Sequence, residues 1–212
     1  MTGHSRIPCA PSLLPASATG IAGSDAVSEH QAAKAALRAA LRSRRRSIEP
    51  AAKQQWDERI GEQVLAWCRA GQVPSLGVYW PIHGEPDLRA AYEELVQAGV
   101  RLALPVVVTR DAPLAFAAWT PGDPLVTDGM GVMVPGDLHF VERPPALLLP
   151  CLGFNAQGYR LGYGGGYYDR TLEATPRPYT LGIAYACLQA QFGHAAHDVP
   201  LDVVVTEETN VA

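Results

Sequence analysis

The residues best equipped for chemistry lie between Pro150 and Arg170, in the run PCLGFNAQGYRLGYGGGYYDR. Gly153, Gly158, Gly162, Gly164, Gly165 and Gly166 let backbone N–H groups approach an anion closely, and a helix entered just after them adds partial positive charge. Arg160 brings a full charge to the same turn. Asp169, one helical step further on, has the chemistry to hold a divalent cation that bridges phosphates. Two familiar phosphate loops are excluded. A P-loop closes on Gly-Lys-Ser/Thr, and no lysine occurs in this run; the dinucleotide fingerprint GxGxxG requires glycine at position 167, which is Tyr167. On composition alone, a plain glycine-rich turn stands open beside the phosphate-binding reading.

A second set of charges lies far upstream. Lys34, Arg38, Arg42, Arg44, Arg45 and Arg46 place six of the 17 basic residues in one short segment. Lys34 and Arg38 are four apart, so one helix presents both to the same anion; a solvated basic helix face is the competing reading, and Arg42 with Arg44 to Arg46 is read as surface charge. His194 and His197, with Asp198 beside them, suggest a transition-metal site, but the spacing is a weak signal and the two histidines read as loop residues.

The elements that must position these groups follow from periodicity. Leu37, Leu41 and Ile48 recur near helical spacing from Gln31 onward. Pro50 opens a second helix whose apolar face is Trp56, Ile60, Val64 and Trp67, with Gly71 at its end. Ser75 to Trp80 is a first strand, followed by the loop His83 to Asp87. Asp87 is read as the N-cap of a helix from Leu88 to Ala98. Val100 to Val108 and Leu114 to Trp119 are further strands, residues 120–145 show little regular pattern, and Ala146 to Pro150 reads as a strand buried on both faces. A helix from Gly166 to Ala174 and strands at Tyr179 to Tyr185 and Val203 to Thr206 complete the reading. Strands separated by helices predict a three-layer αβα domain with a mainly parallel sheet and helices on both faces. Residues 1–30, rich in Pro, Ala and Ser, are expected to be a disordered or loosely attached extension, and residues 31–212 one domain.

Gly158-Tyr-Arg-Leu-Gly-Tyr-Gly-Gly-Gly-Tyr-Tyr-Asp-Arg170 resembles the signature G-x-R-L-G-x-G-x-G-Y-Y-D of the 5-formyltetrahydrofolate cyclo-ligase (methenyltetrahydrofolate synthetase) family. Other parts resemble it in family order: Lys34-Ala-Ala-Leu-Arg38, Tyr79-Trp-Pro-Ile-His-Gly-Glu85, the Leu104–Pro105 and Leu114-to-Pro135 stretches, and His197-Asp198-Val-Pro-Leu-Asp202. The resemblance covers about residues 31–208.

The resemblance implies a NagB/RpiA/CoA-transferase-like fold and an activity: 5-formyltetrahydrofolate is cyclised to 5,10-methenyltetrahydrofolate as ATP goes to ADP and phosphate, through a phosphorylated formyl group. It implies that Lys34, Arg38, Arg160, Leu161, Gly162, Tyr163, Gly164, Gly165, Gly166, Tyr167 and Tyr168 contact ATP. Trp80, Glu85 and Tyr163 to Tyr167 face the folate, with Arg160 and Glu85 as the catalytic pair. Asp169 and Asp198 match metal-binding aspartates, for which Mg²⁺ is the expected ion; Asp202 is a weaker candidate. Position 165 is Gly where animal members carry Lys. A non-catalytic folate- or nucleotide-binding homologue, and an ATP-dependent enzyme with another substrate, are the alternatives.

Bulk properties agree with small-molecule partners. Net charge is −4, which excludes a general polyanion binder and argues against nucleic acid. Cys9, Cys68, Cys151 and Cys187 lack the close spacing of a zinc or redox motif, as in a reduced, cytoplasmic protein. No apolar run is long enough for a membrane span. A monomer is expected.

Overall fold

The computed structural model describes residues 22–195, 198–208 and 210–211. Cys9, His197 and the first twenty-one positions of the expected extension lie outside the described residues. The chain divides into a unit of residues 1–35 and a compact unit of residues 36–212. In the first unit, residues 22–35 are helical and belong to α1 (Ala22–Arg46), which begins nine residues before Gln31.

In the second unit α1 continues and α2 (Pro50–Gly71) follows, with the boundaries that the sequence predicts. Proline costs nothing at a first helical position, where its N–H would have no helical partner, and the Glu49 carboxylate accepts from the Ala52 N–H at 3.0 Å. Gln72 ends the helix in the left-handed region, at φ 45°. The buried stripe is Ile60, Val64, Leu65 and Cys68, with Trp56 and Trp67 half-buried at its margins.

The remaining elements are β1 (Ser75–Gly77), α3 (Arg89–Gln97), β2 (Arg101–Val106), β3 (Ala115–Trp119), β4 (Leu125–Thr127), β5 (Met133–Pro135), β6 (Phe140–Val141), β7 (Ala146–Pro150), β8 (Gly153–Phe154), β9 (Arg160–Leu161), α4 (Tyr167–Glu173), β10 (Tyr179–Ile183), β11 (Val203–Val205) and β12 (Asn210–Val211). The main sheet runs β12-β11-β10-β7-β1-β2-β3-β6. Its centre, β11-β10-β7-β1-β2, is parallel. β12 and β3 are antiparallel to their inner neighbours.

Within this mainly parallel sheet β3 reverses against β2, in register from Leu102↔Trp119 to Val106↔Ala115, because residues 107–114 are too few for a parallel crossover. Three expectations are corrected. Residues 120–145, expected to be irregular, carry the β4–β5 hairpin and β6. β1 stops at Gly77 instead of Trp80, although the Val78 N–H still donates to the Ala103 carbonyl at 2.9 Å. The N-cap of α3 falls on Leu88; Asp87, one residue earlier, accepts from the Arg89 N–H at 3.2 Å.

Alternation along the strands divides the core between two faces. Leu76, Leu102, Leu104, Leu148, Leu181 and Ile183 pack with Leu41, Ile60, Val64, Tyr92 and Leu95 from α1–α3. Ala103, Leu147, Leu149 and Val204 pack with Leu172 and Tyr168 of α4. Helices therefore cover both faces, and the wholly apolar β7 is buried on each.

Candidate active site

The carboxyl ends of parallel strands are where open α/β sheets hold ligands, and β7 delivers the glycine-rich run to that edge. β8 and β9 form a short hairpin, and the turn from Gly162 to Gly166 leads into α4. Two guanidinium groups pin its carbonyls. Arg38 Nε donates to the Gly162 carbonyl at 2.9 Å, and Arg170 Nη2 donates to that of Gly165 at 2.6 Å. Glycine is needed at two positions for stated reasons. Gly164 has φ 102° and lies against the Arg38 guanidinium; Gly166 has φ 65°, and a Cβ there would come within 2.9 Å of Arg170 Nη1.

Behind the turn, Arg160 Nη2 donates to Asp169 Oδ1 at 2.7 Å, with 6% and 22% of the two side chains exposed. The Arg160 guanidinium lies 5.8 Å from the Tyr168 ring centroid, and its Nη1 is buried with no hydrogen-bond partner among the described residues. A buried cationic donor without a partner is costly, and an incoming anion removes that cost. Gly164, Gly165, Gly166, Asp169 and Arg170 line one cleft of about 430 Å³, bordered by Asp111 and Glu173. A second hollow, of about 460 Å³ beside Asn155 and Phe192, holds none of the predicted residues.

Tyr163 connects this turn to the loop after β1. Its hydroxyl donates to Glu85 Oε1 at 2.7 Å, and the Ile82 N–H donates to Glu85 Oε2 at 2.9 Å. Glu85 is only 1% exposed. Burial pushes its carboxyl above the ordinary range, while the Ile82 and Tyr163 donors and the Arg45 charge pull the other way. The Tyr163 hydroxyl is itself pushed up, first by burial and then by the Glu85 charge. Trp80 is half-buried, edge-on to Trp119 at 5.9 Å, with the Arg89 guanidinium 5.2 Å from its ring centroid.

The predicted residues divide as follows. Arg38, Arg160 to Tyr167, Asp169 and Glu85 form one connected site. Tyr168 packs its ring against the core under α4 and under Arg160, and burial raises its hydroxyl's pKa. Lys34 lies on α1 in the first unit, one turn before Arg38. Asp198 Oδ2 accepts from the Ala195 N–H at 2.7 Å, and His194 stacks on Tyr159 with ring centroids 4.0 Å apart. Among the described residues no group of three or more His, Cys, Asp or Glu is placed to hold a metal.

Two readings are corrected. Asp202 is structural: its Oδ2 accepts from the Thr180 N–H at 2.7 Å and the Thr180 hydroxyl at 2.6 Å, and it ties β11 to β10. Arg45 is no surface charge. It is 3% exposed, donating through Nε to the His83 carbonyl at 3.2 Å and through Nη2 to the Tyr163 hydroxyl at 2.5 Å. The signal was available in the spacing, since Arg38, Leu41 and Arg45 fall on one helical stripe.

A parallel-centred αβα domain with an arginine-pinned glycine turn beyond its middle strand belongs to the class of open α/β folds that bind ligands at the carboxyl ends of their strands. The model of the 5-formyltetrahydrofolate cyclo-ligase family matches residues 30–207, and the chain belongs to that family. The 5-formyltetrahydrofolate cyclo-ligase of Escherichia coli K12 is 30% identical over 174 residues, which cover 78% of this chain and 96% of that protein. The corresponding protein of Mycoplasma pneumoniae is 26% identical, covering 82% and 99%. Among solved structures, a 5,10-methenyltetrahydrofolate synthetase from Mycoplasma pneumoniae superposes with a TM-score of 0.70 at 26% identity, covering 82% of this chain and 98% of that one. The Aquifex aeolicus 5,10-methenyltetrahydrofolate synthetase gives 0.72 at 27% identity, covering 84% and 91%.

Proposed function

We propose that the chain cyclises 5-formyltetrahydrofolate to 5,10-methenyltetrahydrofolate, with ATP converted to ADP and phosphate. The observation that carries this reading is the 2.7 Å hydrogen bond from Tyr163 to Glu85, which joins a phosphate-type turn to a buried carboxylate on the neighbouring loop. A reaction that couples a nucleotide to a second, nitrogen-rich substrate needs these two halves side by side.

Each residue has a defined task in this proposal. Arg38 and Arg170 hold the turn's carbonyls, which fixes the shape of the turn toward the triphosphate. Arg160 offers its unengaged Nη1 to phosphate oxygens, where charge builds as the formyl oxygen attacks the γ-phosphate. Leu161 to Tyr167 wall the nucleotide, and Lys34 is included on its match to the family's basic pair. Glu85 retains acceptor lone pairs for the N–H edge of the pterin, with Trp80 on the same loop.

Magnesium belongs to the proposal as well. Mg²⁺ takes one or two protein carboxylates and completes its shell with phosphate oxygens and water, so Asp169 at the cleft is a fitting donor; Asp198 is the second carboxylate that the resemblance nominates. When bound, the ion neutralises phosphate charge. Among the described residues no helix is long and apolar enough to cross a membrane. The proposal takes the protein as a cytoplasmic monomer acting on small molecules, with neither nucleic acid nor membrane as partner.

Purified protein given Mg-ATP and 5-formyltetrahydrofolate will form the methenyl product, followed by its absorbance and abolished when ATP is omitted. Tight folate binding without turnover would replace the proposal with a non-catalytic folate-binding role.

A further inference from the structure

Arg45 is flanked by exposed arginines at 44 and 46, yet it is buried. Its guanidinium meets two separate loops, through the His83 carbonyl and the Tyr163 hydroxyl, and lies 5.8 Å from the Tyr163 ring centroid. His83 has φ 52°, a left-handed conformation that non-glycine residues seldom adopt, and its ring is edge-on to Tyr163 at 5.9 Å. Arg45 Nη1 is buried with no hydrogen-bond partner among the described residues. From Arg45, hydrogen bonds run without a break to Tyr163 and on to Glu85 Oε1. A buried arginine is expensive to keep, and surface charge does not require one.

We propose that Arg45 is a positioning residue: through the Tyr163 hydroxyl it orients the Glu85 side chain toward the folate. What Glu85 does with that orientation rests on the function proposed above; the relay itself does not. The other groups that act electrostatically with Glu85 are Tyr79 and Tyr92 in the core, Cys151 after β7, and Tyr168 on α4. Those four are neutral at physiological pH; Arg160 acts on Cys151 and Tyr168, and Arg45 is the cation that acts on Glu85 itself. Burial raises the Glu85 pKa and Arg45 opposes the rise, so removing Arg45 moves the carboxyl further up.

The test uses the full chain with ¹³C-labelled glutamate, in wild type and in Arg45→Met, Arg45→Lys and Tyr163→Phe. The Glu85 carboxyl resonance is assigned by its loss in Glu85→Gln. Arg45→Met is expected to raise the Glu85 midpoint by about half a pH unit or more. It is also expected to raise KM for 5-formyltetrahydrofolate about 10-fold, with KM for ATP unchanged and partial recovery in Arg45→Lys. Tyr163→Phe, which removes one oxygen and keeps the buried charge, also raises the midpoint, and it decides the matter if Arg45→Met does not fold. An unmoved Glu85 midpoint in the folded variants overturns the relay. If wild type fails to turn over the folate, the proposed function falls while the titration still judges the relay.

Discussion

In one arginine–aspartate pair, Arg160 Nη2 meets Asp169 Oδ1 at 2.7 Å; in another, Arg177 Nη2 meets Asp202 Oδ2 at 3.4 Å. The second pair is closed on itself. Asp202 takes the Thr180 amide and hydroxyl, the Thr180 hydroxyl accepts from the Asp202 N–H at 2.9 Å, and Arg177 also donates to the Pro200 carbonyl. The first pair is closer and more buried at its arginine, but it leaves Arg160 Nη1 unengaged and Asp169 on the wall of a cleft. The Asp202 carboxylate is taken up within the fold, whereas the buried Arg160 Nη1 stays without a partner among the described residues, at a cost to stability.

The sharpest way to break this contrast is Asp169→Asn. Asparagine keeps an oxygen for Arg160 but loses the charge, so kcat should fall by about 100-fold or more with only a small drop in the urea midpoint. Unchanged turnover would remove Asp169 from the site. Asp202→Ala should do the reverse, costing about 2 kcal/mol in urea unfolding because buried Thr180 donors lose their acceptor, with kcat per folded molecule unaltered. A collapse of kcat there would show that the closed pair is also part of the machinery.

A smaller effect compares two acids on one loop. Glu85 is raised from 4.5, chiefly by burial, so its contribution to stability is complete below that value and is lost as pH rises through the elevated native pKa. Asp87 is lowered from 3.8: burial would raise it, but hydrogen bonds and charge from Arg89 prevail. Its contribution is present above 3.8 and is lost as pH falls through the depressed value. Urea midpoints measured from acid to neutral pH should therefore fall less on the alkaline side in Glu85→Gln and less on the acid side in Asp87→Asn. Parallel pH profiles for both variants would refute the opposed shifts.

Much of this was legible before the fold. Pro50 and Gly71 bracket α2 because proline and glycine act through the backbone itself, and Ala146 to Pro150 is so uniformly apolar that only a doubly covered strand suits it. Arg160 to Tyr167 and Asp169 stand out as a run of rare residue types, whereas Arg38 and Glu85 carry no local signal of their own and were nominated by the family resemblance. The reversal of β3 was less visible, since strand direction depends on the length of the connection and not on the strand's own residues. Arg45 was missed because its neighbours dominate the local charge pattern, and burial of one arginine among four depends on which face of α1 meets the loops. Asp202 looked like a site acid because a carboxylate at a strand mouth has the same local sequence whether its partner is a ligand or Thr180.

Arg38 grips a carbonyl 124 positions further along the chain, and Arg45 a hydroxyl 118 positions away. At a ribosomal pace of 5–20 residues per second, Arg38 waits roughly 6–25 s for Gly162 to be synthesised. The glycine turn and its Arg38 clamp are thus completed late in translation, and a nascent chain released before Gly162 can seat Leu41 on the core and Arg45 on the His83 carbonyl but has no carbonyl for Arg38.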